Sequence, residues 1–162
     1  MSVNTLPWML SALVGGVLAL PAMAANCLVI GDSLAVGISR GLPGCAVQAK
    51  VGRTTRQSIA VVPGQPYQVI VVSTGSNDKD RASIEELRQL RLRLQARTVV
   101  WVIPSPKFRA ASYVQFVARE FGDLVQPVGS VLGPDNVHPT RTGYRRLSAS
   151  LAQYFHLPWQ AY

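Results

Sequence analysis

The stretch Leu28-Val29-Ile30-Gly31-Asp32-Ser33-Leu34 decides the fold that this sequence predicts. A short apolar run stops at a Gly-Asp-Ser turn, and residues 35–38 can then begin a helix. In open α/β folds such a turn lies at the carboxyl end of a sheet, where ligands and chemistry collect. Ser33 would expose its hydroxyl there and present its own N–H to a developing negative charge. Taken alone, Asp and Ser are also ordinary helix N-caps, so the rest of the chain has to decide between the two interpretations.

Strand-like segments alternate with segments of helical periodicity along the rest of the chain. The clearest strand is Tyr67 to Ser73, whose nearly continuous β-branched residues are typical of a strand covered on both faces. The clearest helix follows Ser83, which is predicted to form a capping box with Glu86. The other predicted strands are 45–49, 98–103 and 124–125, and the other predicted helices are 35–42, 57–61, 110–121 and 140–155. The alternation predicts a parallel sheet with helices on both faces.

The first 24 residues carry no charged side chain and are typical of a secretory signal. An apolar run from Met9 to Leu20 precedes an Ala-x-Ala site, which places cleavage after Ala24. No Lys or Arg stands before the apolar run, so a retained N-terminal membrane anchor stays an alternative. The mature chain would be one domain of residues 25–162, which is long enough to bury its own core.

The chain has two cysteines, Cys27 and Cys45. In an exported protein such a pair is more often bridged than free, and neighbouring parallel strands could bring the two together. Closing this short loop would stabilise the fold by roughly 3 kcal/mol. The only histidines are His138 and His156 and no Cys-x-x-Cys occurs, so no metal site is expected.

The formal net charge is +8, and none of it lies in the N-terminal segment. Basic proteins are drawn to nucleic acid, anionic polysaccharide or acidic membrane surfaces. No dense basic run or aromatic-interleaved patch marks a nucleic-acid groove, so no nucleic-acid partner is expected. The charge instead favours residence at an anionic cell envelope.

Four polar clusters follow predicted strands or lie in loops beside them, and one topology can place all four on the same rim of the sheet. They are Gly31-Asp32-Ser33, Gly52-Arg53-Thr54, Gly75-Ser76-Asn77-Asp78 and Asp135-Asn136-Val137-His138.

The chemistry of these clusters is complementary. Ser33 offers a hydroxyl nucleophile, His138 a base, and Asp135 a carboxylate that can orient the imidazole. Gly52 can bring a backbone N–H close to a substrate oxygen because it has no side chain in the way. Asn77 can donate a side-chain N–H to the same oxygen.

These residues resemble the signature blocks of the SGNH (GDSL) hydrolases, in the family's order and across the whole mature chain. The matching positions are Gly31, Asp32, Ser33 and Leu34, then Gly52 alone, then Gly75, Asn77 and Asp78, and finally Asp135, His138 and Pro139. The resemblance implies a three-layer, flavodoxin-like α/β fold with about five parallel strands in the order 2-1-3-4-5. It also implies a catalytic triad of Ser33, Asp135 and His138, an oxyanion hole of Ser33, Gly52 and Asn77, and hydrolysis of carboxylic esters without a cofactor.

The substrate has to be predicted from more general properties. Short connections leave little room for a lid, which suits a small acyl group on a large partner, and export favours carbohydrate. The best hypothesis is therefore O-deacetylation of envelope or extracellular polysaccharide by a monomer. A broad short-chain esterase, a lysophospholipase or a thioesterase stays open, as does a non-catalytic envelope protein that binds anionic glycan. Arg53, Arg56, Lys79 and Arg141 flank the clusters and could hold an acidic sugar or phosphate, although solvated charges explain them equally well.

Overall fold

The computed structural model describes residues 25–156. The predicted secretory signal of residues 1–24 lies outside the described residues. Within the described part of the chain, none of the helices is both long and apolar enough to cross a membrane.

Within residues 25–156, five strands alternate with five α-helices. In chain order these are β1 Ala25–Gly31, α1 Ser33–Ser39, β2 Ala46–Ala49, α2 Thr55–Ile59, β3 Tyr67–Ser73, α3 Ile84–Arg93, β4 Ala96–Ile103, α4 Ala110–Glu120, β5 Leu124–Pro127 and α5 Arg141–Ala152. Short 3-10 turns cover Lys79–Arg81, Gly129–Val131 and Gln153–His156. The strands form one parallel sheet in the order β2-β1-β3-β4-β5, which confirms the predicted fold class and strand order.

The sheet is covered on both faces, as the continuous apolar strands predicted. Helices α1 and α5 pack on one face, where Val29 and Val71 meet Leu34 and Leu147. Helices α2, α3 and α4 pack on the other face, and the core there is built around the fully buried Trp101. Because successive strand residues point to opposite faces, the central strands β1, β3 and β4 each supply both cores at once.

Two helix starts differ in detail from their sequence predictions. Helix α2 begins at Thr55 and not at residue 57, because Thr54 and Gln57 form a reciprocal capping box. The hydroxyl of Ser83 does cap α3 by accepting from the N–H of Glu86 at 3.1 Å. The Glu86 carboxylate, however, binds the guanidinium of Arg56 at 2.7 Å. It therefore does not bond back to the start of α3 as the predicted capping box requires.

Cys27 and Cys45 form a disulfide, which confirms the predicted pair. Cys27 lies in β1 and Cys45 directly precedes β2. The bridge therefore ties the edge strand β2 to its neighbour β1.

Candidate active site

The carboxyl end of β1 is the point from which the site is built. Gly31 pairs with Ala49 of β2 and with Ser73 of β3, so the loops after these three strands start from one edge of the sheet. Gly31 has φ +135°, and a Cβ at this position would lie 1.6 Å from the carbonyl oxygen of Ser73. Only glycine permits so close an approach, which fixes where the following turn begins.

Asp32 holds the turn in place. Its Oδ1 accepts hydrogen bonds from the N–H of Leu34 at 3.0 Å and from the hydroxyl of Ser73 at 2.9 Å. Ser33 is thereby fixed as the first residue of α1, with the Asp32 carboxyl fully buried beneath it. Burial raises the pKa of Asp32 above its ordinary value and outweighs the lowering by these hydrogen bonds.

Ser33, His138 and Asp135 form a continuous hydrogen-bonded chain. The Oγ of Ser33 lies 2.9 Å from Nε2 of His138, and Nδ1 of His138 lies 2.7 Å from Oδ2 of Asp135. The other carboxylate oxygen of Asp135 accepts from the N–H groups of Val137 and His138, both at 2.9 Å. These bonds hold the pKa of Asp135 well below its usual range. An ionised carboxylate can only accept hydrogen bonds, so Nδ1 of His138 carries the proton that it donates to Asp135. Nε2 is then unprotonated and can accept a hydrogen bond from the serine hydroxyl.

The loop that carries His138 is shaped by its own backbone. Asn136 adopts a left-handed conformation with φ +54°. The N–H of Gly133 donates to the carbonyl oxygen of His138 at 2.7 Å. Thr140 then caps α5 by accepting from the N–H of Gly143 at 3.0 Å. The imidazole is therefore presented from a closed loop anchored on a helix, although its side chain remains 43% exposed.

Gly52 and Asn77 lie in two loops that are bonded to each other. The Asn77 side-chain amide donates to the carbonyl oxygen of Arg53 at 3.2 Å, which leaves its second N–H for another acceptor. Gly52 is left-handed with φ +78°, and no atom lies within 4 Å of the position that its Cβ would take. The backbone of Gly52 is therefore approachable, as an oxyanion donor requires.

The four predicted substrate-binding cations lie in different surroundings. The guanidinium of Arg53 donates to the carbonyl oxygen of Gln48, and that of Arg56 pairs with Glu86. Lys79 is exposed and has φ +50°. Arg141 begins α5 and lines a groove.

This groove lies between α1 and α5 and has a volume of about 700 Å³. Its lining residues are Gly37, Arg40, Gly41, Pro139, Arg141, Tyr144, Arg145 and Ser148. Sequence reasoning identified Arg141 but missed Arg40 and Arg145. The i, i+4 spacing of Arg141 and Arg145 placed these two on one helix face, whereas nothing in the sequence placed Arg40 beside them.

Within residues 25–156, no group of three or more His, Cys, Asp or Glu side chains could hold a metal ion.

The sheet order, the helices on both faces and the Ser33 turn at the carboxyl edge define a three-layer, flavodoxin-like α/β fold, which is the fold that the resemblance to the SGNH hydrolases implied. No protein-family model matches the chain, and no curated protein matches it.

Solved structures with this fold do match. Est24, a carbohydrate acetylesterase from Sinorhizobium meliloti, superposes with a TM-score of 0.60 at 14% identity, over 78% of this chain and 96% of that one. The C-terminal catalytic domain of peptidoglycan O-acetyltransferase A from Streptococcus pneumoniae gives 0.57 at 18% identity, over 81% and 92%. Axe2, an acetylxylan esterase from Geobacillus stearothermophilus, gives 0.56 at 18% identity, over 82% and 94%. At these identities the likeness concerns the fold.

Proposed function

We propose that this protein is a serine esterase that hydrolyses carboxylic esters through an acyl-enzyme on Ser33, and that it removes O-acetyl groups from envelope or extracellular polysaccharide. The observation that carries the proposal is the chain of two short hydrogen bonds from the hydroxyl of Ser33 through His138 to Asp135. A serine activated by an imidazole that a carboxylate orients is the arrangement needed for nucleophilic acyl transfer.

In the proposed mechanism, the Ser33 oxygen attacks the ester carbonyl while Nε2 of His138 takes its proton. The tetrahedral oxyanion is stabilised by the N–H groups of Ser33 and Gly52 and by the Asn77 amide. His138 then gives the proton to the leaving alcohol, and the acyl group stays on Ser33. Water attacks the acyl-enzyme while His138 takes its proton, and His138 then returns that proton to the Ser33 oxygen as the acid leaves. Asp135 holds the imidazole in the required tautomer and stabilises it while it is charged.

The openness of the site supports a small acyl group on a large alcohol. The side chains of His138 and Asp135 are 43% and 53% exposed, so a polymer can reach the reacting atoms without a lid having to move. Two of the similar structures are described as a carbohydrate acetylesterase and an acetylxylan esterase, which supports the carbohydrate hypothesis.

Export of the protein is part of the proposal. A disulfide persists in oxidising compartments, and the chain has one between Cys27 and Cys45. The charge-free N-terminal segment supports the same location.

A fluorophosphonate probe, which labels activated serines, tests the proposal. We expect the wild-type protein to be labelled and the Ser33→Ala variant to be unlabelled and inactive on nitrophenyl acetate, with an unchanged thermal unfolding midpoint. Ser39→Ala is the matched control, because Ser39 lies on the same helix and its hydroxyl donates to the carbonyl oxygen of Val36, one turn earlier, at 3.0 Å. Labelling or full activity in a folded Ser33→Ala protein would exclude this mechanism.

Nitrophenyl esters of increasing chain length separate the remaining hypotheses. Activity confined to acetate supports a deacetylase, whereas an optimum at longer chains supports a lysophospholipase or thioesterase. A folded protein that binds acidic glycan but neither reacts with the probe nor cleaves any ester would be the non-catalytic envelope protein.

A second candidate function is transfer of the acetyl group to a sugar hydroxyl. One of the similar structures is a catalytic domain described as a peptidoglycan O-acetyltransferase, and an open site allows a sugar to replace water at the acyl-enzyme. Mass spectrometry of glycan products after incubation with an acetyl ester distinguishes transfer from hydrolysis, since only transfer adds acetyl groups to the glycan.

A further inference from the structure

The positive charge of the protein is divided unevenly between the two faces of the sheet. On the face covered by α2, α3 and α4, three of the arginines are paired with acidic side chains at 2.6 to 2.8 Å. These pairs are Arg56–Glu86, Arg88–Glu120 and Arg91–Asp123. On the opposite face, α1 with its C-cap and α5 contain four arginines and no Asp or Glu. They are Arg40, Arg141, Arg145 and Arg146.

Three of these arginines line the groove between α1 and α5. Arg40, Arg141 and Arg145 are all exposed, and the groove lining contains no acidic residue. Arg141 and Arg145 stand at i and i+4 of one helix, where like charges are mildly destabilising. Stability of the fold therefore does not account for the cluster, whereas an anionic ligand does, because charges of one sign along a cleft concentrate the opposite sign.

The groove lining includes chain neighbours of the proposed catalytic residues. Pro139, which follows His138, is part of its wall, and so is Gly37, about one helical turn after Ser33 in α1. Arg40 lies at the end of the helix that Ser33 begins, about 10 Å along the helix axis. The groove therefore lies on the face formed by α1 and α5, beside the segments that carry the proposed nucleophile and base.

The groove lies on the side of the site where the proposed mechanism would place the leaving group. The loops of Gly52 and Asn77 lead into α2 and α3, whose apolar residues lie on the opposite face of the sheet. In the proposed mechanism an oxyanion bound by those loops would lie on the side of α2 and α3. The leaving oxygen, which has to receive its proton from His138, would then lie on the side of His138 and the groove. In a deacetylase the leaving group is the sugar.

Tyr144 provides a surface that suits a sugar ring. Its ring packs against Gly37, where a Cβ would lie 2.1 Å from a ring carbon. Burial, followed by the charges of Asp32 and Asp135, raises the pKa of Tyr144 to about 12, so its hydroxyl keeps its proton. A half-buried aromatic face with a polar tip can pack against a sugar and hydrogen-bond its hydroxyls.

We propose that the groove between α1 and α5 binds the leaving-group sugar, and that Arg40, Arg141 and Arg145 select glycans that carry a carboxylate or phosphate near the acetyl ester. This inference rests on the proposed esterase function. The planar guanidinium fork matches both anions, so the groove would distinguish charged from neutral acetylated glycans.

Three matched substrates test the selection: acetylated methyl glycosides of glucose, of glucuronic acid, and of glucose with a phosphate on its primary hydroxyl. The kcat/KM for acetate release is measured for the wild type, for Arg40→Gln/Arg145→Gln, and for the control Arg93→Gln/Arg119→Gln. Arg93 and Arg119 are exposed arginines on α3 and α4, so the control removes the same charge from the other face. Nitrophenyl acetate is assayed in parallel to normalise each preparation, and thermal unfolding confirms folding.

We expect the wild type to prefer at least one charged glycoside over the neutral one by about tenfold or more. The groove variant should lose most of this preference and the control variant should keep it. Added salt should weaken the preference in the wild type because exposed charges are screened. A preference for one charged glycoside over the other identifies carboxylate or phosphate as the group selected. Equal rates on all three glycosides, or a preference that survives in the groove variant, would overturn the inference.

A binding measurement separates failure of the groove from failure of the esterase. Calorimetry is carried out with a short oligogalacturonate and with the phosphorylated methyl glucoside, on Ser33→Ala alone and combined with Arg40→Gln/Arg145→Gln. If the wild type cleaves no ester but one of these ligands binds to Ser33→Ala, and its binding is lost when the two arginines are removed, the groove stands and the proposed function fails. Binding of neither ligand to Ser33→Ala, or binding that the two substitutions do not weaken, contradicts the groove whatever the esterase result.

Discussion

The carboxylate of Asp78 accepts a hydrogen bond from the backbone N–H of Thr55, with 2.8 Å between Oδ1 and the nitrogen. Its other oxygen accepts from the Thr55 hydroxyl, which also lies 2.9 Å from the hydroxyl of Thr74. Asn77, beside Asp78, reaches the carbonyl oxygen of Arg53. The two loops that carry the proposed oxyanion donors therefore hold each other in place.

We expect Asp78→Ala to lower kcat by about 10²–10³, which is the typical effect of losing one oxyanion donor. Asp78 is buried, so its removal leaves the N–H of Thr55 without an acceptor and should also cost about 1–3 kcal/mol of stability. Turnover of nitrophenyl acetate and denaturant unfolding measure the two effects. Asp80→Ala is the control, because Asp80 lies two residues further on and is exposed. Near wild-type kcat in a destabilised Asp78→Ala protein would show that Asp78 does not position the donors.

We expect Asp135→Asn to lower kcat by about 10²–10⁴ with a smaller change in KM, since an amide can hold the imidazole in the wrong tautomer. The asparagine oxygen can still accept from the N–H groups of Val137 and His138, which now bond Oδ1 of Asp135. The loop should therefore stay folded, and steady-state kinetics report on the imidazole. Activity within a few-fold of the wild type would remove Asp135 from the proposed triad.

The same substitution should change the acid limb of the stability curve. The hydrogen bonds from Val137 and His138 lower the pKa of Asp135 in the folded state, so the unfolded state binds more protons and stability increases with pH. This contribution is present above the ordinary aspartate pKa of about 3.9 and is lost as the pH falls through the lower folded-state value. Unfolding of the wild type and of Asp135→Asn, followed from about pH 2 to pH 5, should show a shallower rise for the variant. If stability changed with pH in the same way in both proteins, Asp135 would not have a lowered pKa in the folded state.

Asp32 should have the opposite effect on the pH dependence of stability. Burial raises its pKa in the folded state, so the folded state binds more protons and stability decreases as the pH rises above about 4. Asp32→Asn keeps an acceptor for Leu34 and Ser73, and it replaces Oδ2, an oxygen with no hydrogen-bond partner within the described residues. We expect the variant to be at least as stable as the wild type at pH 7. Its stability should no longer decrease as the pH rises above about 4. A loss of more than about 1 kcal/mol at pH 7 would show that the ionised carboxylate is itself stabilising.

The central strand and the motif residues were predictable from the sequence for physical reasons. Strand β3 was predicted at Tyr67 to Ser73 and found there, because a run of β-branched residues covered on both faces has few alternatives. Ser33 and His138 are 105 residues apart and meet at 2.9 Å. Parallel strands place Ser33 at the carboxyl edge of the sheet, and the loop of His138 reaches it because α5, which follows that loop, packs beside α1.

The features that were not predictable depend on contacts between distant elements. Glu86 was expected to complete a helix cap, but Arg56, 30 residues earlier, lies close enough to bind it. Arg40 joins Arg141 and Arg145 only because α1 and α5 pack side by side on one face of the sheet. Local patterns identify a cap or a charged helix face, and they do not identify which helices become neighbours.

The last prediction concerns the glycine that ends β1. Gly31 and Gly44 both have positive φ, at +135° and +101°, but only Gly31 lies against another backbone, that of Ser73. Gly31→Ala should therefore cost at least about 3 kcal/mol, because strain in φ adds to a steric clash with a strand that cannot move. Gly44→Ala is the matched comparison and should cost about 1–2 kcal/mol from φ alone. Denaturant unfolding measures both, and equal losses would show that the close approach of β1 to β3 does not require glycine.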